Sequence, residues 1–386
     1  MAEAERDLEQ NDEHRVTPLE LFFDLAFVFG FTQVTSLLVD DPTWGGVFRG
    51  MLVLAALWWA WTGYAWFTST LDVDEGGVRL AMLAAMAAMF AVALAVPGAF
   101  GDDALLFGVA YLFVRVLHLV LYAAVSKDNP DLRGMLRRIA PTELLGASLL
   151  VVAGFLEGDA QIAAWVVALA VDYLGPAVTN LSGKRIAPEH FAERHGLIIL
   201  IALGESLVAI GVGAGLDLVP KVMIAALLGV VVVSALWWLY FDVAAIFQRI
   251  RLIEAGGAEQ VRVALTSFSY LHLPMIAGTV LFAFGLEDAL HHVDEPLETV
   301  PAAALCGGGA LYLLGHVASL FQATGRVFRR RTIGGLVLLA LIPIATAVSA
   351  LAALALVSLV PSLVVAYEAI AHREHRVIVR HPELAK

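Results

Sequence analysis

Cysteine and charge are both scarce in this chain of 386 residues. Cys306 is the single cysteine, which excludes an internal disulfide and any metal centre built from several thiolates. Charged residues make up 16% of the chain, whereas soluble domains carry about a quarter. Apolar residues make up 60%, and the mean hydropathy is +0.81. This composition predicts an integral membrane protein.

Several motifs of soluble enzymes and of ATP-driven pumps are missing. The chain has no phosphate-binding loop, no dinucleotide-binding glycine motif, no zinc-protease H-E-x-x-H and no hydrolase nucleophile elbow. Nothing in the sequence indicates nucleic-acid binding. We therefore expect no cofactor, no bound metal ion and no nucleic-acid partner, and an enzymatic activity is not the favoured interpretation.

Apolar runs of about 20 residues, the length that crosses a bilayer as a helix, recur along the chain. The runs are continuous, which favours helices over the alternating ten-residue segments of a β-barrel. The sequence therefore predicts an all-α integral membrane protein with about twelve spans. The spans are at roughly 17–39, 46–68, 78–100, 104–126, 139–156, 160–181, 190–214, 219–242, 262–286, 301–322, 333–348 and 350–370. Pro343 leaves open a single re-entrant hairpin at 333–370.

The distribution of Lys and Arg orients these spans, because cytoplasmic loops of membrane proteins are enriched in both residues. With the N-terminus in the cytoplasm, only Arg49, Arg115 and Lys221 of the 24 basic residues fall outside the cytoplasmic side. The loops on the opposite side are acidic, as at Asp102-Asp103. We therefore expect a multi-pass protein with both termini in the cytoplasm.

The two halves of the chain repeat the same order of motifs. The matched segments are Glu20 with Glu193, Thr32-Gln33 with Glu205-Ser206, Leu57-Trp58-Trp59 with Leu236-Trp237-Trp238, and Tyr111 with Tyr312. Each half holds six spans, an even number, so both halves enter from the same side and the repeats are parallel. The predicted domains are a tail at 1–16, membrane repeats at 17–185 and 186–371, and a tail at 372–386.

Polar residues inside the predicted spans are the candidate functional residues. A charge at the centre of a spanning helix costs about 2.5–3.5 kcal/mol on insertion scales, so such residues are rarely incidental. The candidates for a polar transport centre are Glu20, Asp24, Gln33, Arg115, Asp172, Glu193, Glu205, Ser206, His272 and His316. Arg115 requires an acidic partner, and the sequence leaves Glu205 and Asp172 open. Trp58, Trp59, Trp237 and Trp238 are candidate cavity aromatics.

A structural role for the same residues remains an alternative. Acids near a helix start can cap or brace helices within a bundle, and a buried histidine can be a packing residue with its hydrogen bonds satisfied. A midplane acid beside a cation is either a buried structural pair or a relay for protons or cations.

Two stretches of the chain resemble signature segments of a known family. TPLELFFDLAFVFGFTQ, from Thr17, and HFAERHGLIILIALGESLVAI, from His190, are similar to those of the bacterial low temperature requirement A family. The resemblance runs from about His14 to the end of the last span. It implies a multi-pass bacterial inner-membrane protein with no settled substrate.

A weaker resemblance links Phe22-Phe23-Asp24 to the Phe-Ser-Asp helix of an endolysosomal potassium channel family. That family is also built from six-span repeats. In this chain Phe23 stands where the channel family has its serine, and the second half has Gly196-Leu197 in place of Ser-Asp.

The favoured interpretation is a secondary or passive transporter that moves a small solute or ion through a polar midplane site. Glu205, Glu20 and Asp24 would form the polar path, with His272 and His316 as proton partners. A cation or proton channel and a membrane-embedded enzyme acting on a lipid are the alternatives. The expected partners are the lipid bilayer and a proton or monovalent cation, and a homo-oligomer is left open.

Overall fold

A computed structural model of the chain describes residues 16–70, 76–179, 186–215 and 219–371. The predicted tails at 1–16 and 372–386 lie outside the described residues, except for residue 16. The described part is all-α, as predicted: it contains no β-strand, and Pro296 and Ser349 form an isolated β-bridge.

Twelve helices account for nearly all described residues. They are α1 (Pro18–Asp40), α2 (Trp44–Thr68), α3 (Gly76–Leu94), α4 (Ala104–Val125), α5 (Pro130–Ala153), α6 (Gly158–Val178), α7 (Pro188–Ala214), α8 (Pro220–Glu254), α9 (Gly257–His291), α10 (Thr299–Thr324), α11 (Arg329–Ala345) and α12 (Ala350–Ala371). The segment predicted as two spans or a re-entrant hairpin forms two separate helices, α11 and α12.

Nine of the twelve described helices are long and apolar enough to cross a bilayer. The other three are α2, α5 and α11. Helix α2 is rich in tryptophan, whose indole N–H lowers its hydropathy, and α5 begins with several charged residues. Helix α11 has only 17 residues.

Large apolar side chains cover the outer faces of many helices. Leu80 is 70% exposed on α3, Phe113 52% on α4 and Leu227 58% on α8. A soluble protein rarely exposes apolar surface so extensively, whereas a bilayer covers it. The exposed surface therefore agrees with the hydropathy in predicting a membrane protein.

Helices α8 and α9 are longer than the spans predicted at 219–242 and 262–286, with 35 residues each. Each contains a π-helical segment, at Tyr240–Ala244 in α8 and at Ala264–Tyr270 in α9. Hydropathy marks only the part of a helix suited to hydrocarbon, so polar helical extensions such as the end of α8 escape it. Helix α5 is likewise extended at its start, where Asn129 Oδ1 accepts a hydrogen bond from Leu132 N at 3.1 Å.

The described helices form two compact units. Unit 1 contains α1 as far as Leu37, together with Phe48–Arg194 and Ala255–Arg262. It therefore includes most of α1 and α2, all of α3 to α6, and the first turns of α7 and α9. Unit 2 contains Leu38–Val47, the rest of α7 and α8, and the chain from Val263 onward.

Within unit 2, α9 and α10 approach each other through glycine. A Cβ atom on Gly308 would lie 2.5 Å from the backbone nitrogen of Phe282 and 2.6 Å from the carbonyl oxygen of Gly278. A Cβ atom on Gly278 would lie 2.6 Å from the backbone nitrogen of Tyr312. Small residues allow this backbone-to-backbone contact, the usual way in which membrane helices associate closely.

Candidate functional site

Two acids of α1 are completely buried in unit 1. Glu20 and Asp24 are four residues apart, so they lie on the same face of the helix, and both are 0% exposed. Their partners come from the start of α7. Arg194 donates through Nη1 to Glu20 Oε1 at 2.7 Å and through Nη2 to Asp24 Oδ1 at 2.6 Å. His190 Nε2 lies 3.0 Å from Glu20 Oε2. A single guanidinium group thus binds both carboxylates.

Helix α2 supplies two further contacts to this group. The indole Nε1 of Trp61 donates to Asp24 Oδ1 at 2.9 Å, and the hydroxyl of Thr68 accepts from Arg194 Nη1 at 3.0 Å. We refer to these six residues, Glu20, Asp24, Trp61, Thr68, His190 and Arg194, as the α1–α7 cluster.

Glu20 also caps its own helix. The backbone nitrogen of Thr17 donates to Glu20 Oε2 at 2.9 Å, and the nitrogen of Glu20 donates to Thr17 Oγ1 at 3.3 Å. This reciprocal pair is a capping box, which satisfies amides at a helix start. Glu20 therefore has the structural role of capping α1, and the same carboxylate also forms the ion pair with Arg194.

The α1–α7 cluster is not fully satisfied. Within the part of the chain that the structure describes, Oδ2 of Asp24, Nδ1 of His190 and Nε of Arg194 have no hydrogen-bond partner. Two carboxylates face a single guanidinium, so the cluster carries one surplus negative charge when His190 is neutral. A site with a free carboxylate oxygen and a surplus charge can accept a proton or a small cation.

A second buried ionic group lies among α4, α5 and α6, also in unit 1. Arg115 Nη2 lies 2.8 Å from Asp172 Oδ1 and 3.5 Å from Glu143 Oε2. His118 Nδ1 lies 3.2 Å from Glu143 Oε2, and the hydroxyl of Tyr111 donates to Asp172 Oδ2 at 3.4 Å. We call these five residues the α4–α6 cluster. Of the two acids left open by the sequence, Asp172 is the partner of Arg115, and Glu143 is a second one.

Apart from Tyr111 of the α4–α6 cluster, the two clusters contain the same types of ionisable residue. Each contains one Arg, one Glu, one Asp and one His, and each has the histidine within hydrogen-bonding distance of the Glu. The α4–α6 cluster therefore also places two acids beside one guanidinium.

Helix α2 lies between the two clusters. Trp61 and Thr68 face the α1–α7 cluster, whereas the carbonyl oxygen of Gly63 lies 3.1 Å from His118 Nε2. Gly63 permits this approach, since a Cβ atom there would lie 3.2 Å from Arg115 Nη1 and 3.3 Å from the His118 ring. The polar surfaces that α2 presents to the two clusters are on different sides of the helix.

The predicted cavity aromatics of the two halves differ in position. Trp58 and Trp59 are buried, with ring centroids 5.1 Å from Trp61 and 4.1 Å from Tyr173, respectively. Trp237 and Trp238 are 41% and 36% exposed. The buried face of α8 carries Leu236, Leu239 and Tyr240, so Trp237 and Trp238 lie on the exposed face of that helix.

The predicted histidines lie in a third polar group, in unit 2. Nδ1 of His272 donates to the carbonyl oxygen of Ser267 at 2.8 Å, so Nε2 accepts from the hydroxyl of Tyr240 at 2.9 Å. Ser267 belongs to the π segment of α9 and Tyr240 begins that of α8. Such π segments often occur at functional sites.

His316 and its neighbours complete this group. Both ring nitrogens of His316 lie 3.2 Å from Arg331 Nη1. Arg331 donates through Nε and Nη2 to the two carboxylate oxygens of Glu368, at 2.9 and 2.7 Å. One Arg and one Glu balance each other here. The histidine group of unit 2 therefore lacks the surplus charge of the α1–α7 cluster.

Glu205 lies on α7 within unit 2 and is 2% exposed, which agrees with its predicted interior position. Glu287 of α9, a second acid, is close enough to Glu205 for the two side chains to interact electrostatically. Ser206 is completely buried, and its hydroxyl has no hydrogen-bond partner among the described residues. Gln33 is partly buried, and Glu193 is exposed.

Sequence reasoning missed His190 and Arg194, the residues that bind the α1 acids. A signal was present. Glu20 and His190 are separated by 170 residues, as are Asp24 and Arg194. A register that places Pro18 on Pro188 would have matched these oppositely charged residues, whereas the register chosen placed Glu20 on Glu193.

The helices and the three polar groups define a multi-helix membrane protein with ionisable residues paired inside the bundle. The chain belongs to the bacterial low temperature requirement A (LtrA) family, because the sequence model of that family matches residues 15–366. This confirms the resemblance found in the sequence. The chain is also 32% identical over 321 residues to an uncharacterized protein of Rhizobium meliloti (strain 1021), covering 80% of this chain and 77% of the relative. No solved structure matches.

Proposed function

We propose that this protein is a secondary or passive transporter of a small solute or ion and that the α1–α7 cluster binds the proton or monovalent cation that moves. One observation carries the proposal: two buried carboxylates share one guanidinium, and Asp24 keeps a free oxygen among the described residues. A proton or a cation can be taken up at that oxygen.

The energetic argument rests on the cost of unbalanced charge inside a membrane protein. A buried ion pair is tolerated when its charges and hydrogen bonds are matched, and an uncompensated buried charge is strongly unfavourable. The cluster is balanced when His190 or Asp24 is protonated or when a monovalent cation lies beside Asp24. Loading and release of that charge would change the stability of the α1–α7 contact, which is the property that a coupling site requires.

The α4–α6 cluster supports the same function. It likewise places two acids beside one guanidinium and a histidine beside the Glu, and α2 separates it from the α1–α7 cluster. Two sites of this kind on opposite sides of one helix could accept charge in sequence. We assign Arg115 and Asp172 to this second site, together with His118 and Glu143, whose side chains lie 3.2 Å apart.

We further propose the finer architecture that the sequence predicts: twelve spans in two parallel six-helix repeats, in the bacterial inner membrane, with both termini in the cytoplasm. The motifs that recur in the same order in the two halves support an internal repeat. The equal separation of 170 residues in the Glu20–His190 and Asp24–Arg194 contacts shows only that the starts of α1 and α7 run in the same direction where they meet.

The transport function is tested by flux into liposomes. Purified protein is reconstituted with a pH-sensitive dye inside, and a gradient of Na⁺ or K⁺ is imposed. We expect a cation gradient to move protons with the wild-type protein. Asp24→Asn removes the ionisable oxygen while keeping the size of the side chain, so the flux should be lost.

Asp131→Asn is the matched control, because Asp131 is exposed in the first turn of α5. This variant should retain wild-type flux. Voltage-driven current without exchange would indicate the channel alternative. Absence of both proton movement and current with every monovalent cation tested would reject the movement of protons or monovalent cations by this protein, and wild-type flux in Asp24→Asn would remove the α1–α7 cluster from the transport path.

The proposed orientation predicts where single cysteines can be labelled. In a Cys306→Ser background, Asp102→Cys and Asp159→Cys should react with a membrane-impermeant maleimide on intact cells, because both positions are exposed and lie on the predicted outer side. Asp128→Cys and Arg326→Cys should react only after lysis. Labelling of position 128 from outside would contradict the orientation.

A further inference from the structure

A pocket of about 390 Å³ lies in unit 2 beside the start of α11 and the last turns of α12. Its lining residues are Val327, Phe328, Arg329, Arg330, Ile333 and Glu368. It is distinct from the three polar groups described above, except that Glu368 borders both the pocket and the histidine group. A pocket of this size can hold a small ligand or a headgroup.

The pocket is basic. Its single acid, Glu368, is already neutralised, because Arg331 binds both of its carboxylate oxygens. Arg329 and Arg330 are exposed, and neither forms an ion pair with any residue that the structure describes. The guanidinium of Arg330 lies over the Tyr367 ring, 3.3 Å from its centroid, which restrains it at the pocket edge. Two positive charges are therefore available to an anion.

The backbone at the pocket adds to this preference. Helix α11 begins at Arg329, and its N-cap position is Phe328, whose side chain makes no capping hydrogen bond. The first amides of a helix lack intrahelical partners and carry the positive end of the helix dipole. At α11 the amide of Arg329 donates to the carbonyl oxygen of Val327 at 3.0 Å, so the amides that follow it are the ones that would face an anion. Phosphate and sulfate groups bind at such positions.

The remaining wall of the pocket is apolar. Val327 and Ile333 are each 56% exposed, and Phe328 is half-buried. A free inorganic anion would leave these side chains uncovered. A ligand with both a phosphate and an apolar part would cover them. In the proposed topology the start of α11 and the end of α12 lie at the cytoplasmic edge of the bilayer, where headgroups and acyl chains meet.

We propose that this pocket binds the phosphate of an anionic phospholipid. The headgroup phosphate lies between Arg329 and Arg330 at the start of α11, and the glycerol and upper acyl chain lie along Val327 and Ile333. Arginine suits this ligand, since its planar guanidinium can donate two hydrogen bonds to one phosphate. The lipid would hold α11 against α12 from the bilayer side. This proposal does not depend on the transport function.

The test compares thermal unfolding of the protein in nanodiscs of phosphatidylcholine with increasing fractions of phosphatidylglycerol. We expect the unfolding midpoint of the wild-type protein to rise with phosphatidylglycerol, because a ligand that binds only the folded state stabilises it. In Arg329→Gln/Arg330→Gln this rise should fall to less than half. Native mass spectrometry should show correspondingly fewer retained phosphatidylglycerol molecules.

Arg326→Gln is the matched control, because Arg326 is an exposed arginine three residues away that does not line the pocket. It should keep the wild-type rise, and Arg329→Lys/Arg330→Lys should keep part of it. Equal loss in Arg326→Gln would show a diffuse charge effect and overturn the proposal. A rise produced equally by soluble glycerol phosphate in phosphatidylcholine would identify a free phosphate site and also overturn it.

Discussion

Arg194→Gln is expected to prevent stable folding. The guanidinium of Arg194 is completely buried and binds Glu20 at 2.7 Å and Asp24 at 2.6 Å. Its removal leaves two carboxylates four residues apart on α1 without their shared cation. Removal of one partner of a buried ion pair costs about 3–5 kcal/mol, a large part of the stability of a typical domain. The expected result is a strong fall in yield and in the thermal unfolding midpoint in detergent.

A second substitution should reverse much of this loss. In Arg194→Gln/Asp24→Asn, one acid is removed together with the cation, and Glu20 retains His190 at 3.0 Å. The charge of the cluster is then balanced when His190 is protonated, and the two amides can hydrogen-bond. The double variant should therefore be more stable than Arg194→Gln alone, although it should not transport.

Arg79→Gln serves as the control for both variants, because Arg79 is exposed in the first turns of α3. It should unfold at the wild-type midpoint. If Arg194→Gln behaved like Arg79→Gln, the ion pair would not contribute to the fold. If the double variant were no better than Arg194→Gln, charge balance would not be the reason for the loss.

Gly308→Ala is expected to disrupt the packing of α9 against α10. The new methyl group would lie 2.5 Å from the backbone nitrogen of Phe282 and 2.6 Å from the carbonyl oxygen of Gly278. Backbone atoms cannot rotate away as a side chain can, so the two helices must separate. Overpacking of this kind costs about 1–3 kcal/mol, and we expect a lower unfolding midpoint and a lower yield of folded protein.

The neighbouring glycine provides the control. A Cβ atom on Gly307 would meet nothing within 4 Å. Gly307→Ala should therefore leave the midpoint unchanged or raise it, since alanine reduces the freedom of the unfolded chain. Equal effects of the two substitutions would show that helix propensity, rather than the approach of α9, determines the stability at this position.

The candidate site was predictable in part. The sequence identified Glu20, Asp24, Arg115 and Asp172, because an ionisable residue inside an apolar run is visible without any structure. It did not identify Arg194 as the partner of the α1 acids, because the predicted match between the two halves placed Glu20 on Glu193 and left Asp24 without a basic counterpart. The sequence also left the acidic partner of Arg115 open between Glu205 and Asp172, because its partners lie on other helices, α5 and α6.

The sequence alone could not show that the matched tryptophan pairs of the two halves differ in burial. Trp58-Trp59 and Trp237-Trp238 match as motifs, yet the first pair is buried and the second is exposed. A sequence motif fixes the spacing of side chains along a helix. The rotation of that helix in the bundle depends on neighbouring helices, and it decides which side chains face inward.

The sequence by itself determined the all-α membrane character and the family of this protein. The positions of most helices also followed from it, because each depends on local composition and on the length of apolar runs. Tertiary structure decided which buried charges meet, that two groups with one Arg, one Glu, one Asp and one His each lie on either side of α2, and that Glu193 is exposed. These features depend on contacts between distant segments and on the packing of whole helices, where the free energy of a buried charge is set by the partner beside it.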